Sequence, residues 1–236
     1  MDIKNLLLIG TSHIARQSIK EVTDSFRSFN PDILAVELDQ KRLYSLMSKN
    51  KVKIRVKDIF RVGFRGYLFA LFGAWAEKKL GDYVGINPGS DMLAGVKLAK
   101  TENKMIAFID QNIEITLKHL SKGISWKEKW NFLVDIIKAV IFRKREVEFD
   151  LRTVPDEKII ITMINKVKVR YPNIYRILIK ERNETMAKNI LKVMLRFPEK
   201  RILCIVGAGH KEEILKILKR KLDRFKEPVT YTFNVS

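Results

Sequence analysis

Leu6-Leu7-Leu8-Ile9-Gly10-Thr11-Ser12-His13 and Leu203-Cys204-Ile205-Val206-Gly207-Ala208-Gly209-His210 are two copies of one pattern, set near opposite ends of the chain. Each is a four-residue apolar run, then G-x-x-H, then a stretch of helical period. Short apolar runs bounded by polar, Gly or Pro residues read as buried strands, so residues 6–9 and 202–206 are predicted strands, and so are 33–36 and 105–109. Residues 14–29 and 211–225 carry apolar positions at three- and four-residue spacing, namely Ile19, Val22 and Phe26, then Ile214, Leu218 and Leu222. Strand followed by helix, repeated, predicts an α/β fold whose mostly parallel sheet is flanked by helices. Residues 113–197 show no strand signal, while 126–142 and 175–196 read as long helices. A single domain over 1–236 with a helical insertion at about 113–197, before the last strands, is therefore expected; 229–235 reads as a final edge strand.

The chain has 236 residues, 46% of them hydrophobic and 31% charged, which excludes a disordered or fibrous polypeptide. Forty-six Lys and Arg against 27 Asp and Glu give a net charge of +19. That excess points to anionic surroundings or to a solvated lysine surface. No helix-turn-helix, zinc-finger or RNP-type signature accompanies it, so no specific nucleic acid is expected. The single cysteine, Cys204, excludes an intramolecular disulfide framework and reads as a small buried hydrophobe. The apolar start is too short for a secretory signal, and no uninterrupted apolar run is long enough to span a bilayer, so a cytoplasmic location is expected. Residues 60–76 and 130–142 are aromatic or apolar stretches suited to the core, to an oligomer contact or to a membrane surface; the first is the expected peripheral membrane contact.

Two of the three histidines occupy the same slot in the repeated device. Glycine at positions 10 and 207 permits a sharp turn off a strand end, and the helix start that follows offers unpaired N–H groups. Residues 33–36 run into Glu37-Leu38-Asp39, and 105–109 run into Asp110. Alternation places Glu37 and Asp39 on one side, with Leu38 turned away. Four strand ends thus bring His13, Glu37 or Asp39, Asp110 and His210 to the carboxyl edge of the sheet, where open α/β folds bind ligands. Two imidazoles with carboxylates and no thiolate suit a divalent Mn, Co, Fe or Zn ion that would activate water for hydrolysis. Taken singly, the same residues have plainer uses: Glu37 and Asp39 as charges at the start of a helix over 40–49, and Asp110 as the cap of a helix beginning near Ile113. His119 reads as solvent-facing.

Six segments in order, GTSHIARQSIKEV, PDILAVELDQKRL, INPGSDMLAGVKLA, FIDQNIEITLKHL, ERNETMAKNIL and VGAGHKEEI, resemble the successive motifs of the TraB/PrgY (pheromone-shutdown) family, within the wider Tiki, GumN and EreA/ChaN-like group. The resemblance spans about Leu6 to Leu218. It implies an α/β fold whose paired G-x-x-H motifs and acidic residues line one site. In Tiki relatives that site is a Mn- or Co-dependent metallopeptidase, and PrgY-like members are linked to reduced activity of a peptide pheromone. Carried over, His13 and His210 are the paired histidines, Glu37 the acidic residue of the second motif, and Arg42 the arginine that follows it. Asp110 matches the aspartate of I-D-R, and Glu181-Arg182 match a helical E-R pair. Three positions depart from the pattern: Gln111 replaces an arginine, Asp91 a glutamate and Asn183 an aspartate. Many relatives also carry a membrane-spanning C-terminal region, so the chain ending at Ser236 is expected to represent the soluble domain.

Together these readings predict a metal-dependent hydrolase acting on peptides. His13, His210, Glu37 and Asp110 are the expected ligands, and Asp39 and Asp91 the carboxylates beside them. Arg42 and Arg182 are expected to bind a substrate carboxylate, and Glu181 to neutralise an arginine or serve as general base. The competing expectation is a non-catalytic protein that binds or sequesters a peptide at a membrane surface. A homo-oligomer is compatible with either.

Overall fold

The computed structural model describes residues 3–11, 16–47, 89–142 and 157–226. A 3-10 turn, Ile3–Asn5, leads into β1 (Leu6–Thr11). Then follow α1 (Arg16–Phe29), β2 (Ile33–Val36) and α2 (Gln40–Met47). Next come α3 (Ser90–Thr101) and β3 (Met105–Phe108). The helical stretch is α4 (Ile113–Gly123), α5 (Trp126–Phe142), α6 (Glu157–Arg170) and α7 (Pro172–Tyr175), then a π-helical turn, Arg176–Lys180, and α8 (Glu181–Arg196). β4 (Ile202–Gly207) and α9 (Ala208–Lys226) close the described chain. His13, residues 60–76 and the expected strand at 229–235 lie outside the described residues.

The four strands form one sheet in the order β1-β4-β2-β3, parallel throughout. The two copies of the opening pattern are therefore direct neighbours. Leu6 pairs with Ile202 and Thr11 with Gly207, so Gly10 lies opposite Val206 and the copies are staggered by one residue. The central strands β2 and β4 are buried along their whole length, which is why they read as unbroken apolar runs rather than alternating ones.

Period-two alternation sorts these strands into two cores. Leu8, Ile33, Ala35, Ile202, Cys204 and Val206 point to one face, covered by Met186, Ala187, Ile190 and Met194 of α8 and by Ile214, Leu218 and Leu222 of α9. Ile9, Leu34, Val36, Leu203 and Ile205 point to the other, covered by Val22 and Phe26 of α1 and by Met92, Val96 and Ala99 of α3. The result is a three-layer α/β/α sandwich. A smaller apolar cluster of Leu120, Ile124 and Ile177 seats α4 against the π-helical turn.

Two local assignments choose between readings that the sequence leaves open. The cap of α4 is Asn112, whose side chain accepts from Glu114 N at 2.9 Å, and Asp110 is left to the site. Of the pair at the start of α2, only Asp39 serves the helix: its Oδ1 accepts from Arg42 N at 2.8 Å, and its Oδ2 accepts from Ile113 N at 3.0 Å. Gly10 and Gly207 end their strands without left-handed backbone; among the described residues the positive-φ glycine is Gly89, at 83°. What Gly10 supplies instead is proximity, since a Cβ there would lie 3.0 Å from Ala208 Cα. Among the described residues no helix is long and apolar enough to cross a membrane.

Candidate functional site

β2, β3 and β4 end at the same edge, and the chain beyond each supplies one group. Glu37 follows β2, Asp110 follows β3 after one further residue, Ile109, and His210 sits in the first turn of α9. A fourth group, Arg182, comes from the first turn of α8, immediately after the π-helical turn. There Glu181 N–H bonds Arg176 O, one residue further back than in an α-helix. The carbonyl of Leu178 accepts from the Arg182 side chain instead, at 3.3 Å.

Arg182 is the hub. Its Nε donates to Asp110 Oδ1 at 3.1 Å and its Nη2 to Asp110 Oδ2 at 2.8 Å, a bidentate pair. Nη2 also donates to Glu37 Oε1, and Nη1 reaches His210 Nε2 at 3.3 Å as well as Leu178 O. A guanidinium has five N–H groups, and each of them is engaged here. Burial alone would make this arginine easier to deprotonate; the charges of Glu37 and Asp110 outweigh it and raise its pKa further.

Glu37 is 2% exposed, and its second oxygen, Oε2, accepts from Gly207 N at 2.6 Å. Its Oε1 lies 3.4 Å from His210 Nε2. His210 Nδ1 meets Asn183 Oδ1 at 2.6 Å. Because that amide oxygen can only accept, Nδ1 carries the proton and Nε2 the lone pair, an assignment made from the hydrogen bonds around the ring. Asn183 is fully buried, and its Nδ2 has no hydrogen-bond partner among the described residues.

The remaining expected residues divide. Arg42 stands at the rim, its side chain 35% exposed and its Nη1 3.9 Å from Asp110 Oδ2. Asp91, buried at the start of α3, accepts from Thr11 Oγ1 at 2.6 Å and so marks the end of β1. Asp39 is committed to the starts of α2 and α4. Glu181, although next to Arg182 in sequence, leaves the cluster: it bonds His119 Nδ1 at 2.8 Å and lies 3.7 Å from Arg176. Gln111 turns to Thr116 Oγ1 at 2.6 Å. His13 is outside the described residues, so its relation to His210 is not part of this geometry. Cys204, beneath the site, is buried; burial first and the Glu37 charge second push its thiol up, so it is a packing residue and not a nucleophile.

As arranged, the donors around Glu37 do not fit a divalent ion. Both Asp110 oxygens and one oxygen of Glu37 face a guanidinium, and so does the lone pair of His210. Among the described donors, the position a metal would need is taken by a cation of the protein's own. Among the described residues no group of three His, Cys, Asp or Glu side chains is placed to hold a metal.

Two groups escaped sequence reasoning. Asn183 was visible only as a departure from a pattern, and its role needs the α8–α9 packing to be seen. The Gly207 N–H carries no side-chain signal at all. The chain is 32% identical over 222 residues to an uncharacterized protein of Methanocaldococcus jannaschii, a match covering 92% of this chain and 54% of the relative. The chain thus spans about half the length of that relative. The profile of the TraB/PrgY/gumN family matches residues 2–221, and the chain belongs to that family.

Proposed function

We propose that the cluster at the carboxyl edge of the sheet is a hydrolase site acting on peptides. The observation that supports it best is the state of His210: Nδ1–H is held by buried Asn183, and the Nε2 lone pair is left 3.4 Å from Glu37 Oε1. An imidazole fixed in one tautomer beside a buried carboxylate is suited to general-base work. As its 3.3 Å contact with Arg182 Nη1 gives way, Nε2 would take a proton from the water that attacks the peptide carbonyl. It would return that proton to the leaving amine, and Glu37 would stabilise the imidazolium in between. Arg182, its donors committed, would hold Glu37, Asp110 and His210 in register and not touch substrate. Arg42, half-exposed at the rim, would bind the peptide's carboxylate, for which a guanidinium fork is well shaped. The peptide class rests on membership of the family together with Arg42. No step passes through a metal, because the described donors do not fit one.

The test is cleavage of a peptide library, with divalent metals and with chelator, by the wild-type chain and by the His210→Ala, Glu37→Gln and Arg42→Gln variants. Cleavage lost in the first two, with a raised KM in the third, is the expected result. Peptide retained without turnover under every condition would replace hydrolysis by sequestration.

A further inference from the structure

Helix α5 turns three of its polar residues, Glu128, Asn131 and Asp135, toward the protein. Glu128, 1% exposed, accepts from Ser125 N and Oγ, both at 2.9 Å, from Asn173 N at 2.6 Å and Nδ2 at 2.9 Å, and from Ile174 N at 3.2 Å. Asn131 Nδ2 donates to Arg170 O at 3.1 Å. Asp135 accepts from Arg170 and from the Tyr171 hydroxyl. Three apolar residues face outward: Trp126 is 78% exposed, Trp130 67% and Leu133 47%. Positions 126, 130 and 133 are spaced four and three apart, so they form one stripe along the helix.

Among the described residues of α5, the charges left outward beside that stripe have one sign. Both acidic residues of α5, Glu128 and Asp135, are held by the protein's own donors. The basic ones, Lys127, Lys129 and Lys138, are not turned inward with them: Lys127 and Lys138 are exposed, and Lys129 Nζ lies 4.2 Å over the Trp126 ring. An outward stripe of tryptophan and leucine edged by lysine is the composition of a helix that lies in the plane of a membrane interface. A second copy of the chain is a poor occupant, because each copy carries +19.

We propose that α5 docks the protein on an anionic lipid surface, with Trp126, Trp130 and Leu133 in the headgroup–acyl boundary and Lys127, Lys129 and Lys138 against lipid phosphates. This surface is separate from the site on β2, β3 and β4, and the proposal does not depend on the hydrolase reading. A protein with this net charge adheres to any anionic surface at low salt, so the decisive readout is the dependence on tryptophan. Co-sedimentation is measured with phosphatidylglycerol and with phosphatidylcholine vesicles, for the wild type, Trp126→Ser/Trp130→Ser and Lys127→Gln/Lys129→Gln/Lys138→Gln. Because the altered side chains are exposed or, for Lys129, half-exposed, unchanged circular dichroism confirms folding of each variant. Binding to the anionic vesicles, weakened about tenfold or more in either multiple variant, is expected. In a Trp75→Phe background, fluorescence of the two remaining tryptophans should be quenched by lipids brominated on the acyl chain. Equal binding by wild type and tryptophan variant, no binding, or no quenching would overturn the proposal. So would a wild-type dimer in light scattering that the tryptophan variant loses, since a second copy would then cover the stripe.

Discussion

Arg182 decides how the site should be read, and the argument is a count of donors. Asp110 takes two of its N–H groups, and Glu37, His210 and Leu178 O take one each. A side chain so occupied is a clamp and not a substrate hook. The E-R pair singles out Arg182 in the sequence but does not show its acceptors, which come from positions 37, 110, 178 and 210 and which no local pattern links. Glu181 behaves differently: one position away on the helix, it turns from the cluster to His119. Replacing Arg182 with Met should cost about 3–5 kcal/mol, since Glu37 and Asp110 would be left buried without their counter-charge. Thermal denaturation should show this as a loss of roughly 6–20 °C. Arg182→Lys should recover only part of it, because an ammonium cannot reproduce a bidentate fork. A loss within experimental error for Arg182→Met would mean that the cluster does not hold the sheet edge together.

Periodicity makes most elements legible: the four apolar runs are the four strands, and the helix predicted at 126–142 has those bounds. What it cannot show is which strands become neighbours, or that a glycine chosen for a turn is used for closeness. Gly10 packs against the first residue of α9, so a methyl group there would meet backbone, not a side chain that can rotate away. Gly10→Ala should therefore destabilise by about 1–3 kcal/mol, although alanine in a strand interior normally costs the chain less entropy than glycine. An equal or higher melting temperature would show that β1 and α9 can separate. The join between α5 and α7 offers a pH test. Burial would push the Glu128 carboxyl up, but the donors from Ser125 and Asn173 prevail and hold it below its ordinary value of 4.5. A carboxyl depressed on folding adds stability that is complete above 4.5 and is lost as pH falls through its lower folded value. Glu128→Gln should thus be destabilised near neutrality, and its deficit against wild type should shrink in acid. A deficit that stays constant with pH would show that the carboxylate charge contributes nothing.

The two cores lie on opposite faces of one sheet, and the ionic cluster closes the edge where both end. Each link in that frame is supplied by the chain: apolar packing through the layers, and at the edge two buried carboxylates balanced by Arg182 with Arg42 beyond. The sequence shows a locally acidic site against a basic background, which reads as room for an external cation. The basic partner is in fact present in the same cluster, but it arrives from α8, more than a hundred residues after Glu37, and that juxtaposition is a property of packing. The consequence is measurable by linkage. An ion bound at a hundredfold its dissociation constant adds about 2.7 kcal/mol to folding, which for a chain of this size moves the melting temperature by roughly 5–10 °C. With Arg182 in place, chelator and millimolar Mn, Co, Fe or Zn should give the same melting temperature. With Arg182→Met, two carboxylates and an imidazole are released from the guanidinium, and the same ions should raise the melting temperature of that variant alone. A rise of several degrees in the wild-type chain would show that a metal displaces the guanidinium, and the site would then have to be rebuilt around that ion.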